Sequence, residues 1–480
     1  MKKVKIMTLF FIMLFIMLIL LYSWLPCENS FERLKVEVNI SIFMVFCCIY
    51  YEVRMLKKLN LYIIYIILVY LIHAGQCLAI IFGEPINNFP SFIYGGYEYD
   101  SIIYALRFTT LAIFSLCIGG NIKNKEKRVI NKNININSMY LVGLLLCFIS
   151  IPFDLYLKAN SAIRSIQYGY LSGFQNAYEF KETGSIIGSL SLFCLPGCFL
   201  LAYAMHKKNS QLKYLPMMYL IIRSIIDLLC GSRGNAIAIL IAVIYFIKNY
   251  FFTKENKQSN KINIKKIFFV ILGGYFLSCI FMAVFNWRIM ENRTIGTLFE
   301  EVLRNMLEGG IFRGIFKSLS VEYPLYEVIK NIKTGNYSLK YGMTFIYPII
   351  MIIPSFLRGN LYTIGHEHGW IAIENDLTNS INLGYGIGYT NLAEVYLNFG
   401  IYGLIIIIFY GYLISRLVLF NNRDKSEVKE PMKVAMFAIL VLTIRSTMQL
   451  FYKYCFYYYL IPLLLIYIFN QTLFKNNLEK

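Results

Sequence analysis

The chain has 480 residues, of which 58% are hydrophobic and only 15% charged, a balance that excludes an ordinary soluble globular protein. Its formal net charge of +19 would suit a nucleic-acid partner in a soluble chain. Here apolar runs of roughly 18 to 22 residues, each long enough to cross a hydrocarbon core, recur along the whole length, so the basic residues report topology instead.

The first run, Ile6 to Leu25, follows Lys2, Lys3 and Lys5 in the manner of a signal peptide. Its apolar stretch is longer than a signal core and no small-residue cleavage site follows, so it is expected to remain as a first helix. Further spans are predicted at 38–53, 61–82, 101–120, 139–157, 185–205, 214–230, 235–252, 267–287, 390–415, 434–450 and 454–474. The fold class is therefore an all-α integral membrane protein of about 12 transmembrane helices. Nine helices fall in 1–287, one large loop occupies 288–389, and three helices fill 390–480. Of the eleven cysteines most lie inside the apolar runs (Cys47, Cys48, Cys77, Cys117, Cys147, Cys194, Cys198, Cys279), as packing residues with neither a disulfide framework nor metal spacing.

Loop charge orients the chain. Alternate connections, from the N-terminus through 52–60, 121–138, 206–213, 248–266 and 416–433 to the C-terminus, hold 27 of the 46 Lys and Arg residues. Loop 83–100 holds none. Both termini are thus expected in the cytoplasm of a bacterial inner membrane protein. Lysine supplies nearly all of the inner charge, with only Arg54, Arg128, Arg416 and Arg423 as exceptions. On the outer side nine of 17 basic residues are arginine: Arg33, Arg164, Arg233, Arg288, Arg293, Arg304, Arg313, Arg358 and Arg445. Topology needs only positive charge; arginine gathered outside suggests a planar, bidentate donor for phosphate or carboxylate. The plainer alternative is pairing with loop acids such as Glu300, Glu301 and Glu308.

In the large loop, Thr297 to Lys317 has helical apolar spacing (Leu298, Val302, Leu303, Met306, Leu307), and Gly309-Gly310 is expected to interrupt it. Phe345 to Leu357 is strongly apolar but too short to span, and is broken by Pro348 and Pro354; it reads as a re-entrant or interfacial element. Arg358 at its end would sit near the headgroup plane. Gly365-His366-Glu367-His368-Gly369 lacks further obvious metal ligands and reads either as a general base or hydroxyl-binding site, or as an ordinary polar loop. Gly384-Tyr385-Gly386-Ile387-Gly388 has no preceding strand and is no dinucleotide fingerprint. Trp370, Tyr385 and Tyr389 are candidate sugar platforms.

At the membrane edges, Arg223 and Asp227 are four apart and can meet on one helical face. Gly231-Ser232-Arg233-Gly234-Asn235 reads as a tight outer turn opening a helix. Glu394, in Asn391-Leu392-Ala393-Glu394-Val395-Tyr396-Leu397-Asn398-Phe399-Gly400, enters the outer leaflet from the loop and needs a partner, either a loop arginine or a substrate hydroxyl.

The Ser232-Arg233-Gly234 turn, the long outer loop, Glu394 with Tyr396-Leu397-Asn398-Phe399-Gly400 and Gly403, and about twelve helices together resemble the Wzy-type O-antigen and capsular repeat-unit polymerases. The resemblance covers most of the chain in architecture and only short motifs in sequence. It implies a GT-C-like polymerase/ligase architecture and a metal-independent membrane glycosyltransferase without a cofactor. Its partners would be undecaprenyl-diphosphate-linked oligosaccharide, membrane lipid and a chain-length regulator protein, with no nucleic acid. On that reading Arg233, Arg358, Arg288, Arg293 and Arg313 bind the diphosphate, and Glu394, His366 or His368 accepts the proton. A flippase or other transporter would share the helix count, although no internal repeat is evident. An O-antigen ligase-type transferase would share the topology.

Overall fold

The computed structural model describes residue 15, residues 30–56, 60–81, 99–122, 135–167, 185–230 and 232–251, scattered positions from 273 to 290, and residues 294–308, 321–353, 389–418 and 429–474. Among them every regular element is helical. In lipid the backbone must satisfy its own polar groups, and long apolar runs do so as helices. In chain order these are α1 (Phe31–Leu56), α2 (Leu61–Ile81), α3 (Tyr99–Asn121), α4 (Ile136–Gln167), α5 (Ser185–Ser191), α6 (Cys194–Lys207), α7 (Leu215–Leu229), α8 (Arg233–Phe246), α9 (Ile295–Glu308), α10 (Tyr323–Lys333), α11 (Met343–Ile346), α12 (Asn391–Phe399), α13 (Gly403–Val418), α14 (Lys429–Ile444), α15 (Met448–Tyr454) and α16 (Ile461–Phe474). A π-turn, Ile247–Phe251, extends α8, and another, Cys455–Leu460, joins α15 to α16.

Eight stretches are long and apolar enough to cross a membrane: Phe31–Arg54, Leu61–Ile81, Tyr99–Asn121, Ile136–Ser165, Ile186–Lys207, Gly234–Phe251, Asn391–Val418 and Met448–Leu473. The sequence predicts twelve. Of the other four, 6–25 and 267–287 lie largely outside the described residues. The remaining two are helices of modest length: α7 has 15 residues and α14 has 16. At 1.5 Å per residue they reach about 22 to 24 Å, less than the hydrocarbon core. Burial explains α14: every residue from Pro431 to Leu440 is buried, so this helix meets protein on all sides.

Polar contacts between helix ends fall into two sets. At one end Asn121 Nδ2 donates to Glu52 Oε1 (2.5 Å), Tyr250 Oη to Glu430 Oε2 (2.5 Å), and the Asn135 backbone N–H to Asn470 Oδ1 (2.8 Å). At the other, Arg107 Nη2 meets Glu37 Oε1 at 2.6 Å, with Arg33 on the same oxygen at 2.9 Å, and Lys333 Nζ lies 3.6 Å from Asp100. The first set comprises the ends that loop charge makes cytoplasmic. Phe15 stacks on Phe114 of α3 with ring centroids 5.9 Å apart.

The crossing of α3 and α13 depends on two glycines. A β-carbon on Gly119 of α3 would sit 2.1 Å from the Ile408 carbonyl of α13, and one on Gly411 of α13 would sit 2.7 Å from the Leu116 carbonyl. Backbones that close leave no room for a side chain, the arrangement by which membrane helices gain packing without a hydrophobic driving force. Gly400, at φ 56°, makes the break between α12 and α13.

The predicted helix within 297–317 is α9, which ends at Glu308, immediately before Gly309. It lies against the preceding segment: Asn286 Nδ2 donates to Glu301 Oε2 (2.9 Å) and Tyr275 Oη to the Met306 carbonyl (2.6 Å). The apolar segment beginning at Phe345 is helical through Ile352, with α11 continuing as a 3-10 turn, Tyr347–Ile352, and packs on α15.

The sequence gives no hint of α10. This eleven-residue helix is buried between α3 and α12, and its N-terminus opens α2. Val321 N–H takes the Ile72 carbonyl (2.7 Å) that would serve Gln76 in an unbroken helix. Glu322 Oε1 repays that helix by accepting from Gln76 N–H (2.7 Å) and Cys77 N–H (3.4 Å), and Oε2 lies 3.3 Å from Cys77 Sγ. Burial pushes the Glu322 carboxyl up to about 8, against smaller opposing effects of these donors. A folded-state pKa above the unfolded one stabilises the fold below the unfolded value and loses that contribution as pH rises through the folded one. The thermal midpoint of the detergent-solubilised protein is therefore expected to fall between about pH 4.5 and 8 by more than in Glu322→Gln; equal slopes in the two proteins would contradict it.

Candidate active site

Buried polar groups concentrate where α12 meets α10, the 340–344 turn and the start of α15. Asn391, Glu394 and Asn398 form a stripe along α12, spaced to share one helical face, and all three are buried. Thr390 opens the helix, its Oγ1 accepting from Ala393 N–H at 3.3 Å. Glu394 has no solvent exposure at all. Its Oε1 accepts from Thr344 Oγ1 (2.9 Å) and its Oε2 from the Met448 backbone N–H (2.7 Å), the first residue of α15. The expected partner was a loop arginine or a substrate hydroxyl; the structure supplies a threonine and an amide instead. Asn398 completes the arrangement, donating to Thr344 Oγ1 (2.6 Å) and accepting from Gly342 N–H (2.9 Å). Lys340 and Tyr341 N–H bond the Leu397 and Asn398 carbonyls at 3.1 and 3.0 Å. Glu394 thus ties α12, the 340–344 turn and α15 together.

Tyr389, a predicted sugar platform, is buried at the entrance to α12. Burial, then the charge of Glu394, hold its phenol well above the ordinary tyrosine range, so it stays a hydroxyl.

Arg223 and Asp227 do not pair with each other. Arg223 Nε lies 3.1 Å from Asp154 Oδ2 of α4, and Asp227 binds Lys158, one turn further along α4. Tyr219 Oη also donates to Asp154 Oδ2, at 2.7 Å. The i,i+4 spacing puts both groups on one face, as expected, but that face meets an α4 of matching spacing, so two interhelical pairs win over one intrahelical pair. The Arg223 contact is a charge contact without hydrogen-bond alignment, and Nη1 makes no hydrogen bond. Removing one member of a buried pair costs about 3 to 5 kcal/mol, whereas replacing both by apolar groups is near neutral. Arg223→Met is thus expected to lower the thermal midpoint markedly and Asp154→Leu/Arg223→Met to recover most of it. Equal losses in single and double variants would contradict the pairing.

Of the other predicted site residues, Arg233 is the first residue of α8 and its side chain lies outside what is described; Ser232, before it, is bonded through its N–H to the Asp227 carbonyl (2.8 Å). Arg288, Arg293, Arg313, Arg358, His366 and His368 lie outside the described residues, as do Trp370 and Tyr385. Among the outer arginines, Arg304 pairs with Glu301 at 3.2 Å and Arg33 with Glu37, so for these two the plainer pairing holds. Sequence reasoning did not single out Arg445, which the structure places beside Gly234; only its membership among the outer arginines pointed to it. Among the described residues no group of His, Cys, Asp or Glu has the makings of a metal site.

Of the two motifs that carry the resemblance, Gly234 lies beside Arg445 and Glu394 accepts from Met448 N–H, so each touches the segment from Arg445 to Met448. A profile of the family described as O-antigen polysaccharide polymerase Wzy matches residues 4–477, nearly the whole chain. The chain belongs to the Wzy family of O-antigen polysaccharide polymerases. No curated protein and no solved structure matches it. Membership makes it a polymerase that acts on lipid-linked oligosaccharide repeat units in the membrane, and its eight long apolar helices suit a multi-pass membrane protein.

Proposed function

We propose that the chain extends O-antigen or capsular polysaccharide at the outer face of the inner membrane, moving the growing glycan from undecaprenyl diphosphate to a hydroxyl of a lipid-linked repeat unit. The acceptor oxygen bonds to the anomeric carbon, the bond from that carbon to the diphosphate oxygen breaks, and undecaprenyl diphosphate leaves with the electron pair. Negative charge grows on the leaving diphosphate, and fixed guanidinium donors in a water-poor site stabilise it. Arg233 and Arg358 are assigned this role first, with Arg288, Arg293 and Arg313 around them. The proton of the acceptor hydroxyl passes to His366, His368 or Glu394. For Glu394 to serve it would have to exchange its Thr344 or Met448 bond for the substrate, which favours a histidine. Both termini lie in the cytoplasm on this reading.

The match to the polymerase family across residues 4–477 carries the proposal. Deleting the gene tests it. A polymerase mutant keeps one repeat unit on its lipid anchor and loses the ladder of longer chains on a gel of surface glycan. Loss of even the single unit would indicate a flippase or a ligase instead.

A further inference from the structure

We propose that the face made by Met343, Ile346, Ile349 and Ile353 is a membrane-contact surface, with which this segment descends into the outer leaflet beside α15 and meets the acyl chains of the lipid. The segment and α12 are then the lipid-side and protein-side limbs of one re-entrant unit, and Glu394 is bonded between them. This surface is independent of the transfer chemistry proposed above.

From Met343 to Ile353 only Thr344 and Tyr347 carry a polar group. Steps of three, three and four residues put Met343, Ile346, Ile349 and Ile353 on one face of α11 and the 3-10 turn that continues it. All four are exposed, Ile346 by 62%. The opposite face meets protein: Thr344 and Pro348 are buried, Thr344 Oγ1 donates to Glu394 Oε1 at 2.9 Å, and the turn packs on α15.

The segment runs down α15 from the end that loop charge places outside. At its start, Thr344 Oγ1 and Met448 N–H share the Glu394 carboxylate. At its finish, the Ile352 carbonyl accepts from Tyr457 Oη at 3.4 Å, nine residues further into the apolar stretch Met448–Leu473. Nine helical residues rise about 13 Å and a helical side chain leans back towards the helix start, so Ile352 lies on the order of 10 Å below Thr344. That is about a third of a hydrocarbon core, so the segment enters the leaflet without crossing it.

Helix α12 runs beside it in the opposite sense. Lys340 and Tyr341 N–H bond the Leu397 and Asn398 carbonyls, Gly342 N–H bonds Asn398 Oδ1, and Thr344 meets Glu394 one turn earlier in α12. A β-carbon on Gly403 would lie 2.4 Å from Val395 Cγ1, so α12 folds back against the start of α13 instead of continuing into it. Leu392, Ala393, Glu394 and Leu397 are buried, which makes α12 the inner limb.

Continuity identifies what covers the outer limb. Past Gly400 the exposed side chains of Tyr402, Ile405 and Phe409 lead along α13, in a stretch long and apolar enough to cross a membrane. The face of 343–353 adjoins that stretch through the pairing of 340–342 with 397–398. Water disfavours such a face and acyl chains accept it. Tyr341, exposed by 78%, precedes the face, where an amphipathic ring suits the headgroup level.

The test is tryptophan fluorescence of the full chain in nanodiscs. Trp24→Phe, Trp287→Phe and Trp370→Phe clear the background, and Ile346→Trp or Ile349→Trp supplies the reporter. Lipids brominated on their acyl chains are expected to quench most of the emission from either position and aqueous iodide little of it. Ser338→Trp, at an exposed position before the segment, is expected to show the reverse. Ile353→Trp is expected to be quenched by bromine placed deeper in the acyl chain than the bromine that best quenches Met343→Trp. Equal depth at those two positions overturns the descent, and iodide quenching at Ile346 and Ile349 overturns the surface. Quenching by neither agent means that protein covers the face, which overturns it too. Should the tryptophan-free chain accumulate poorly, Ile349→Asp in the native chain carries the test. Its thermal midpoint in nanodiscs falls well below that of Ser338→Asp, because only the first puts a carboxylate into hydrocarbon; equal midpoints overturn the proposal. The glycan ladder tests the polymerase reading separately from all of these.

Discussion

Arg358→Ala and Arg233→Ala are each expected to abolish the ladder of long surface chains while the single repeat unit and the abundance of the protein stay unchanged. The size of the effect follows from the chemistry. Removing one fixed donor from a site that stabilises developing negative charge costs about 10² to 10³ in rate, and a polymer of many steps magnifies any such loss. Neither substitution should disturb the fold. Arg233 begins α8, where positive charge does not favour a helix start, so its presence there is not explained by helix stability. Arg358 lies six residues past the turn Tyr347–Ile352, which packs on α15. Glycan gels with an immunoblot for the protein check both points. Normal chain lengths in the two variants would remove charge stabilisation by these arginines from the account.

Glu394 separates two roles that give opposite results. As the anchor between Thr344 and Met448 it needs two acceptors in the right places, and glutamine keeps one acceptor for Met448 N–H while its amide faces a hydroxyl that can turn to accept. Glu394→Gln is therefore expected to retain a recognisable ladder. Glu394→Ala leaves the Met448 N–H and the Thr344 O–H without their acceptor inside protein, at a cost of about 1 to 3 kcal/mol for each group, and releases the link that carries Arg445. Protein level and ladder should both fall. A Glu394→Gln variant that is abundant yet without any ladder would instead make Glu394 the proton acceptor, because glutamine cannot take a proton.

The spans were legible because lipid imposes one rule on every residue of a long apolar run, and loop charge added their alternation. The ends that the structure gathers, Glu52 with Asn121 and Glu430 with Tyr250, are those the alternation groups together. Hidden from the sequence were elements defined by tertiary contact. Helix α10 carries Glu327, Lys330 and Lys333 among its apolar residues, so it reads as loop; only the opened turn of α2 at Ile72 to Cys77 gives it a place. Arg223 and Asp227 were visible as a pair, but the matching Asp154 and Lys158 lie some seventy positions earlier, at the end of another predicted span, and nothing in the sequence joins the two helices. Glu394 was visible as costly, and its actual partners, a backbone amide and a threonine, carry no charge to attract notice. Arg445 was one outer arginine among nine until Gly234 was found beneath it.

The account depends on arginine-rich chain lying outside the inner membrane, where the lipid-linked donor would be met. Alkaline phosphatase and a cytoplasmic reporter fused in turn after Asn336 and within 354–388 read this directly. Active phosphatase and a silent cytoplasmic reporter at both positions are expected; the reverse pattern would put residues 288–389 in the cytosol and contradict the assigned activity together with its site.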